Sequence, residues 1–393
     1  MQTYDYKSGL VYTEATIDVT SMLDTWMSNS SGVLEDPSKC RNASGPPSLR
    51  DAALRACAWN IHNPGMTETL IDYYEHDGAS IVDQIYQHIK ERDAISCKVW
   101  AIFKTVCPEK VPHRFDVRVP NKVGTSKIPT ISRQLNELPF EMLTFLCIQN
   151  VPIGPVSLNT DLLKFQNLSV LILQQHRNDD YGRRGNKKDD DRMIRKWGLS
   201  VHSANAFTKL KVLVLKRFDI SVEALGGPTV FPSLLLCNLD SWFIKKDLEN
   251  SIYENKPFVY NRWRQMLTDS NAQNAPNSDP EITWKRTDIN TSRKMEILHE
   301  LATKNPASKF STADQLPVIS VNYGDATAKS RYLNSYSAWF TRIPCSETEE
   351  NEREELTKRP AEPVPRGGSA AKKPKMRSGK QTDIGSMLGN FGT

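Results

Sequence analysis

The chain has 393 residues, with 51 Lys or Arg against 46 Asp or Glu, so its formal net charge is only +5. A chain of this length has room for about two domains, and 38% of hydrophobic residues is enough to build a buried core. So small a positive excess excludes a chain that is basic throughout, and positive charge therefore matters only where it is concentrated.

The N-terminus and the cysteines indicate a reducing compartment. The first residues lack a basic segment followed by an apolar stretch, so we expect no secretory signal. No window approaches the roughly 18 consecutive apolar residues of a membrane span. The seven cysteines are scattered and form no C-x-x-C pair, which argues against structural zinc and against a disulfide framework.

A helical module is predicted to follow a polar N-terminal extension. Residues 1–47 are polar, and their second half is rich in Ser, Gly, Pro and Asn, so we expect this extension to be partly disordered. Order is expected to begin at Ser48, which is placed to cap a helix. Apolar residues then recur at helical spacing until Pro108, and this periodicity predicts a helical module over residues 48–112.

A repeated pattern follows the module. Four segments share F-x-x-L followed by alternating hydrophobic residues, and their leading leucines are 25, 42 and 24 residues apart: Leu143, Leu168, Leu210 and Leu234. A period of roughly 20–29 residues is typical of leucine-rich repeats, in which each segment is a short strand that stacks on its neighbours. The sequence therefore predicts an α/β fold with a short leucine-rich-repeat-like array over residues 113–345. An ordinary α/β domain with similar strands is the alternative.

Four further segments lie within or after this array. Residues 177–197 are polar and carry both charge signs, so they are predicted to be a charged surface insertion, often the binding face of an array. Residues 268–283 are predicted to be a loop and residues 292–304 an amphipathic helix. Two later segments, 316–324 and 337–344, are predicted strands that close the open end of the array.

The C-terminal region is predicted to be a disordered tail over residues 346–393, because an acidic stretch, a Pro-rich stretch and a basic stretch follow one another. The basic stretch predicts a nuclear localisation signal or a weak, salt-sensitive contact to nucleic acid. A basic tail that is merely solvated is the alternative. The residues of this cluster are Lys372, Lys373, Lys375, Arg377 and Lys380.

An amphipathic peptide ends the tail. Ile384, Met387, Leu388 and Phe391 lie at i, i+3, i+4 and i+7, which is the apolar face of a short helix that docks in a partner's groove. With Gln381 and Ile384 in the Gln and aliphatic places, the peptide resembles the PCNA-interacting peptide. Met387 and Leu388 stand where that family has aromatic residues. The resemblance implies docking to PCNA; another protein partner and no role at all are the alternatives.

The start of the helical module carries a second resemblance. Ser48, Leu49 and Ala53 follow the pattern small-Leu-x-x-x-Cys/Ser/Ala-x-x-x-aliphatic, and Cys57 stands in the aliphatic place. This pattern resembles the elongin-C-binding box, and a box-bearing helical module before leucine-rich repeats is similar to substrate-receptor subunits of cullin ubiquitin ligases, including elongin-associated and F-box proteins. The resemblance implies that Leu49 enters a pocket of elongin-C. In the alternative, Leu49 packs in the module's own core with Val99 or Phe103.

The sequence shows no catalytic motif. Walker A, G-x-G-x-x-G, H-E-x-x-H and G-x-S-x-G are absent, and the seven histidines lack metal-ligand spacing. We therefore expect no enzymatic activity, catalytic residue, metal or cofactor, no membrane contact and no small-molecule substrate. The prediction is a nuclear protein-interaction adaptor that holds its partner on the concave strand face or on the 177–197 insertion. The resemblance implies a substrate receptor of a cullin-type ubiquitin ligase. The alternative is a chromatin or DNA-replication and repair accessory protein recruited by its tail.

Overall fold

The structure is a computed structural model. It describes residues 2–5, 10–13, 25–34, 36–37, 47–63, 65–119, 128–151, 155–175, 187–218, 220–226, 231–240, 248, 257–260, 262–266, 279–305, 315–324 and 337–344. These residues all belong to one compact unit, Met1–Pro344. The basic cluster, the tail peptide and residues 177–186 of the predicted insertion lie outside the described residues.

Helices dominate the first part of the chain. After an antiparallel pair, β1 (Gln2–Asp5) and β2 (Leu10–Thr13), come the helices α1 (Thr25–Ser28), α2 (Leu49–Trp59), α3 (Met66–Tyr73), α4 (Ala79–Glu91) and α5 (Cys97–Val106). A π-helical turn, Tyr74–Gly78, joins α3 to α4. Hydroxyl oxygens cap two of these helices, because Ser48 accepts from the amide of Asp51 and Ser96 from the amide of Val99. The helices predicted from the apolar spacing are confirmed.

A nine-stranded sheet forms the centre of the described fold, in the order β3-β10-β4-β5-β6-β7-β11-β9-β8. The strands are β3 (Arg114–Val119), β4 (Leu143–Val151), β5 (Leu168–Gln175), β6 (Val212–Lys216), β7 (Leu236–Asp240), β8 (Val259–Tyr260), β9 (Trp263–Gln265), β10 (Val318–Gly324) and β11 (Ser337–Arg342). Strands β3, β10 and β4 to β7 are parallel, whereas β11, β9 and β8 pair antiparallel. The fold is therefore mixed α/β, with a mostly parallel sheet.

The four repeat segments form β4 to β7, which are adjacent and parallel in chain order. The two late strands flank this group, since β10 lies beside β4 and β11 beside β7. Between and after the strands come α6 (Ile128–Asn136), α7 (Pro155–Thr160), α8 (Lys187–Ala204), α9 (Pro280–Lys285) and α10 (Thr291–Thr303). The strands and the amphipathic helix predicted in this region are confirmed.

Both faces of the sheet are buried. Leu171 and Leu213, which are register neighbours on β5 and β6, point into a large cluster that also contains residues of α8 and of the helices α2 to α5. On the opposite face, residues such as Ile172 and Val214 pack against Met295 of α10. The prediction that an open concave strand face holds a partner is therefore wrong, because α10 occupies that face.

One hydrophobic cluster extends from the helical module into the sheet. The ring of Trp100 on α5 lies 5.7 Å from that of Phe115 on β3 and 5.6 Å from that of Phe140, measured between centroids. Its indole N–H donates to the carbonyl of Pro112 at 3.0 Å. Because aromatic pairs at such distances are attractive beyond the area they bury, this contact anchors the module to the strands.

The charged surface insertion predicted at residues 177–197 is not a loop from Lys187 onward, because helix α8 begins there. Apolar residues of α8 recur every three or four positions, and Trp197 is completely buried, with its indole N–H donating to the carbonyl of Leu158 at 2.9 Å. The Asp191 carboxylate accepts hydrogen bonds from the amide and the hydroxyl of Ser221, at 2.9 and 2.7 Å. High charge on the outer side of α8 concealed this helix in the sequence.

The predicted loop at 268–283 also needs correction at its end. Helix α9 begins at Pro280, after Asp279, whose carboxylate accepts from the amides of Glu281 and Ile282. Proline in the first helical turn after an aspartate cap is a favourable helix start. Residues 268–278 lie outside the described part of the chain.

Candidate docking surface on helix α2

The first turn of α2 leaves a large apolar side chain in solvent. The Ser48 hydroxyl accepts from the amide of Asp51 at 3.1 Å and donates to its carboxylate at 2.7 Å, so the helix begins at Leu49. The Leu49 residue is 89% exposed. The alternative in which Leu49 packs in the core with Val99 or Phe103 is wrong, because the Leu49 side chain lies in solvent while both of those residues are completely buried.

Neighbouring contacts hold this turn in place. The Arg50 guanidinium donates twice to the Gln84 side chain, at 3.1 and 2.6 Å, and thereby joins the start of α2 to α4. Ile81, one turn before Gln84 on α4, is 49% exposed. Leu49 is therefore presented by a helix that is fixed on its inner side, and a second apolar side chain lies on the adjoining helix.

The four residues of the predicted box do not share one environment. Ser48, Leu49 and Ala53 are exposed, whereas Cys57 is half-buried and packs against the hydrophobic cluster. Helix capping accounts for Ser48, since a serine at this place stabilises a helix by about 1 kcal/mol without any partner. Internal packing does not account for Leu49.

The structure also brings together polar residues that are far apart in sequence. The Ser337 hydroxyl oxygen on β11 accepts from the Lys216 ammonium at 2.7 Å and from the Asn238 amide at 2.9 Å. It donates to the Glu281 carboxylate of α9 at 3.4 Å, and this carboxylate also accepts from the Trp339 indole at 2.7 Å. Both lone pairs of the hydroxyl are engaged in this arrangement, so the cluster joins β6, β7, β11 and α9 without presenting a free nucleophile.

The surroundings of the Glu281 carboxylate favour its ionised form. Burial raises its pKa, but Lys216, the hydrogen bonds from Lys285 and Trp339, and the charge of Lys285 together outweigh burial and lower the pKa below its ordinary value. The Lys216 ammonium in turn lies 5.6 Å from the Trp284 ring centroid and 5.9 Å from that of Trp339, at distances where an aromatic ring attracts a cation. No motif in the sequence marks this cluster, because strand pairing and the packing of α9 against β11 bring its members together.

Within the described ranges, no three His, Cys, Asp or Glu side chains are grouped as metal ligands. None of the described helices has the length and apolar character needed to cross a membrane. Comparisons with protein-family models, curated proteins and solved structures found no match for this chain.

Proposed function

We propose that the chain is a nuclear protein-interaction adaptor that docks through the start of α2. The observation that carries the proposal is the 89% exposure of Leu49 on a capped and laterally fixed helix. A single exposed leucine is common on protein surfaces, but this one lies at the anchor position of a pattern that resembles the elongin-C-binding box. The proposed partner is therefore elongin-C, and the proposed role is that of a substrate receptor in a cullin-type ubiquitin ligase.

The repeat segments support the same class of protein. We include in the proposal that β4 to β7 are a degenerate leucine-rich-repeat array, because each strand carries the same motif and the four strands are parallel neighbours in chain order. The covering helix α10 distinguishes this array from an open horseshoe. The substrate would then bind elsewhere than on the strand face.

Co-purification of the full chain from nuclear extract, followed by reconstitution with purified elongin-C, tests the proposal. Wild-type protein is expected to retain elongin-C, and Leu49→Ala is expected to lose it while its melting temperature stays unchanged, because the side chain removed is exposed. Leu199→Ala is the matched control, since Leu199 is also a helical leucine and is 71% exposed. Equal retention by Leu49→Ala and wild type would refute docking through α2.

The same experiment tests a second candidate function, which the tail sequence favours. Wild-type protein that is recruited by its tail would recover PCNA or chromatin proteins, and replacing Gln381 and Ile384 by Ala would abolish this recovery. That result would identify a replication or repair accessory protein. The observation that favours this second function is the apolar face of the tail peptide, formed by Ile384, Met387, Leu388 and Phe391.

A further inference from the structure

Helix α8 has a second surface that its role in the core does not explain. Among the exposed residues of α8 from Arg192 onward, five lie three or four positions from one another and therefore on one side of the helix: Arg192, Arg195, Lys196, Leu199 and His202. We name these five residues the α8 stripe. The opposite side of the helix is the buried one, with Ile194 and Trp197 completely enclosed.

The charge of the α8 stripe has one sign. From Arg192 to the end of the helix at Ala204 the sequence contains no acidic residue. Within the part of the chain that the structure describes, the side chains of Arg192, Arg195 and Lys196 have no hydrogen-bonding or ion-pair partner. The nearest described acid along the helix, Asp191, is buried and bound to Ser221. Three cations thus remain side by side in solvent, where they repel one another.

We propose that the α8 stripe binds the phosphate backbone of a nucleic-acid duplex, independently of base sequence. Arg192 and Lys196 are about 6 Å apart along the helix axis, at 1.5 Å per residue, so the cations form a row that can follow a row of phosphates. Arginine suits this partner because its planar guanidinium binds phosphate oxygens in pairs. Because the opposite side of α8 is buried in the protein, only the stripe side can face a duplex, and the helix is expected to lie along the backbone without entering a groove.

An acidic protein segment fits the α8 stripe less well. Protein interfaces gain most of their affinity from a few large side chains that become fully buried, and the stripe offers one such side chain, Leu199. Counterion release from a polyanion needs no apolar anchor. The five cations of the tail cluster belong to the same chemical class, but the α8 stripe is part of the folded unit.

The test measures duplex binding by fluorescence anisotropy, with a labelled duplex of about 20 base pairs and random sequence, long enough for several phosphate contacts. The full chain is used with Lys372, Lys373 and Lys375 replaced by Ala, so that the tail does not hide the stripe. Neutralising three phosphates predicts a slope of roughly −2.7 in a plot of log affinity against log salt. With that slope, the affinity of the protein with an intact stripe falls about 40-fold between 50 and 200 mM salt. The triple variant Arg192→Ala, Arg195→Ala and Lys196→Ala is expected to bind more weakly at 50 mM salt and to lose most of this salt dependence.

The matched control removes three other exposed lysines, Lys90, Lys98 and Lys304, and therefore the same net charge. It is expected to keep most of the affinity, and both variants are expected to keep the wild-type melting temperature because only exposed side chains change. Equal losses of duplex affinity in the two variants would overturn the proposal. Preferential displacement of the duplex by polyglutamate would also overturn it, because it would indicate an acidic protein partner. Leu49→Ala is expected to bind the duplex normally, so this test is independent of the adaptor proposal.

Discussion

At the scale of single residues, Glu281 makes stability depend on pH. Its folded-state pKa is lowered, so its ionised form stabilises the fold above the pKa of the unfolded chain, and this contribution is lost as the pH falls through the folded-state value. Urea unfolding between about pH 6 and pH 3 is expected to show a smaller loss of stability in Glu281→Gln than in wild type. Glu75→Gln, at an exposed site, is the control and should behave like wild type. Parallel pH profiles for wild type and Glu281→Gln would contradict the role of the carboxylate.

At the scale of elements, α8 shows how neighbouring residues serve different purposes. Trp197 is completely buried and adjacent Lys196 is exposed, so Trp197→Ala is expected to lower the free energy of unfolding by about 3 to 5 kcal/mol. Lys196→Ala should change it little, since surface substitutions usually cost less than about 0.5 kcal/mol. Denaturant midpoints of the two variants check both expectations. A surface loop at this place would instead make the two substitutions equally mild.

The elements differ in how far the sequence predicts them. Apolar periodicity predicts the strands β4 to β7 and the helices α2 to α5. Each of these elements buries one face or stripe, and the apolar residues of that face recur at regular intervals within a short stretch of sequence. The sequence does not indicate helix α8, because three aspartates and several cations dominate its first turns, although Trp197 and Val201 continue an apolar spacing. The exposed state of Leu49 could not be predicted, since its spacing fits both a core contact and a docking residue.

At the scale of the whole molecule, the tail cluster is expected to direct the chain to the nucleus. Replacing Lys372, Lys373 and Lys375 together by Ala should move a fluorescent fusion into the cytoplasm, because nuclear import signals depend on clustered exposed lysines. Microscopy of the fusion checks this outcome. A variant with three alanines at Lys90, Lys98 and Lys304 controls for the change in net charge. Continued nuclear accumulation of the tail variant would show that import uses another segment.

The sequence by itself determined the helices of the first part of the chain and the repeated strand segments, because these depend on residue spacing within short windows. The tertiary structure alone decided that α10 covers the second sheet face and that Lys216, Ser337 and Glu281 meet. It also decided which side of α8 remains in solvent. These features join segments that are far apart in the sequence, such as Lys216 and Ser337, which are separated by 121 residues. Local spacing carries no information about which distant face a hydrophobic stripe will bury.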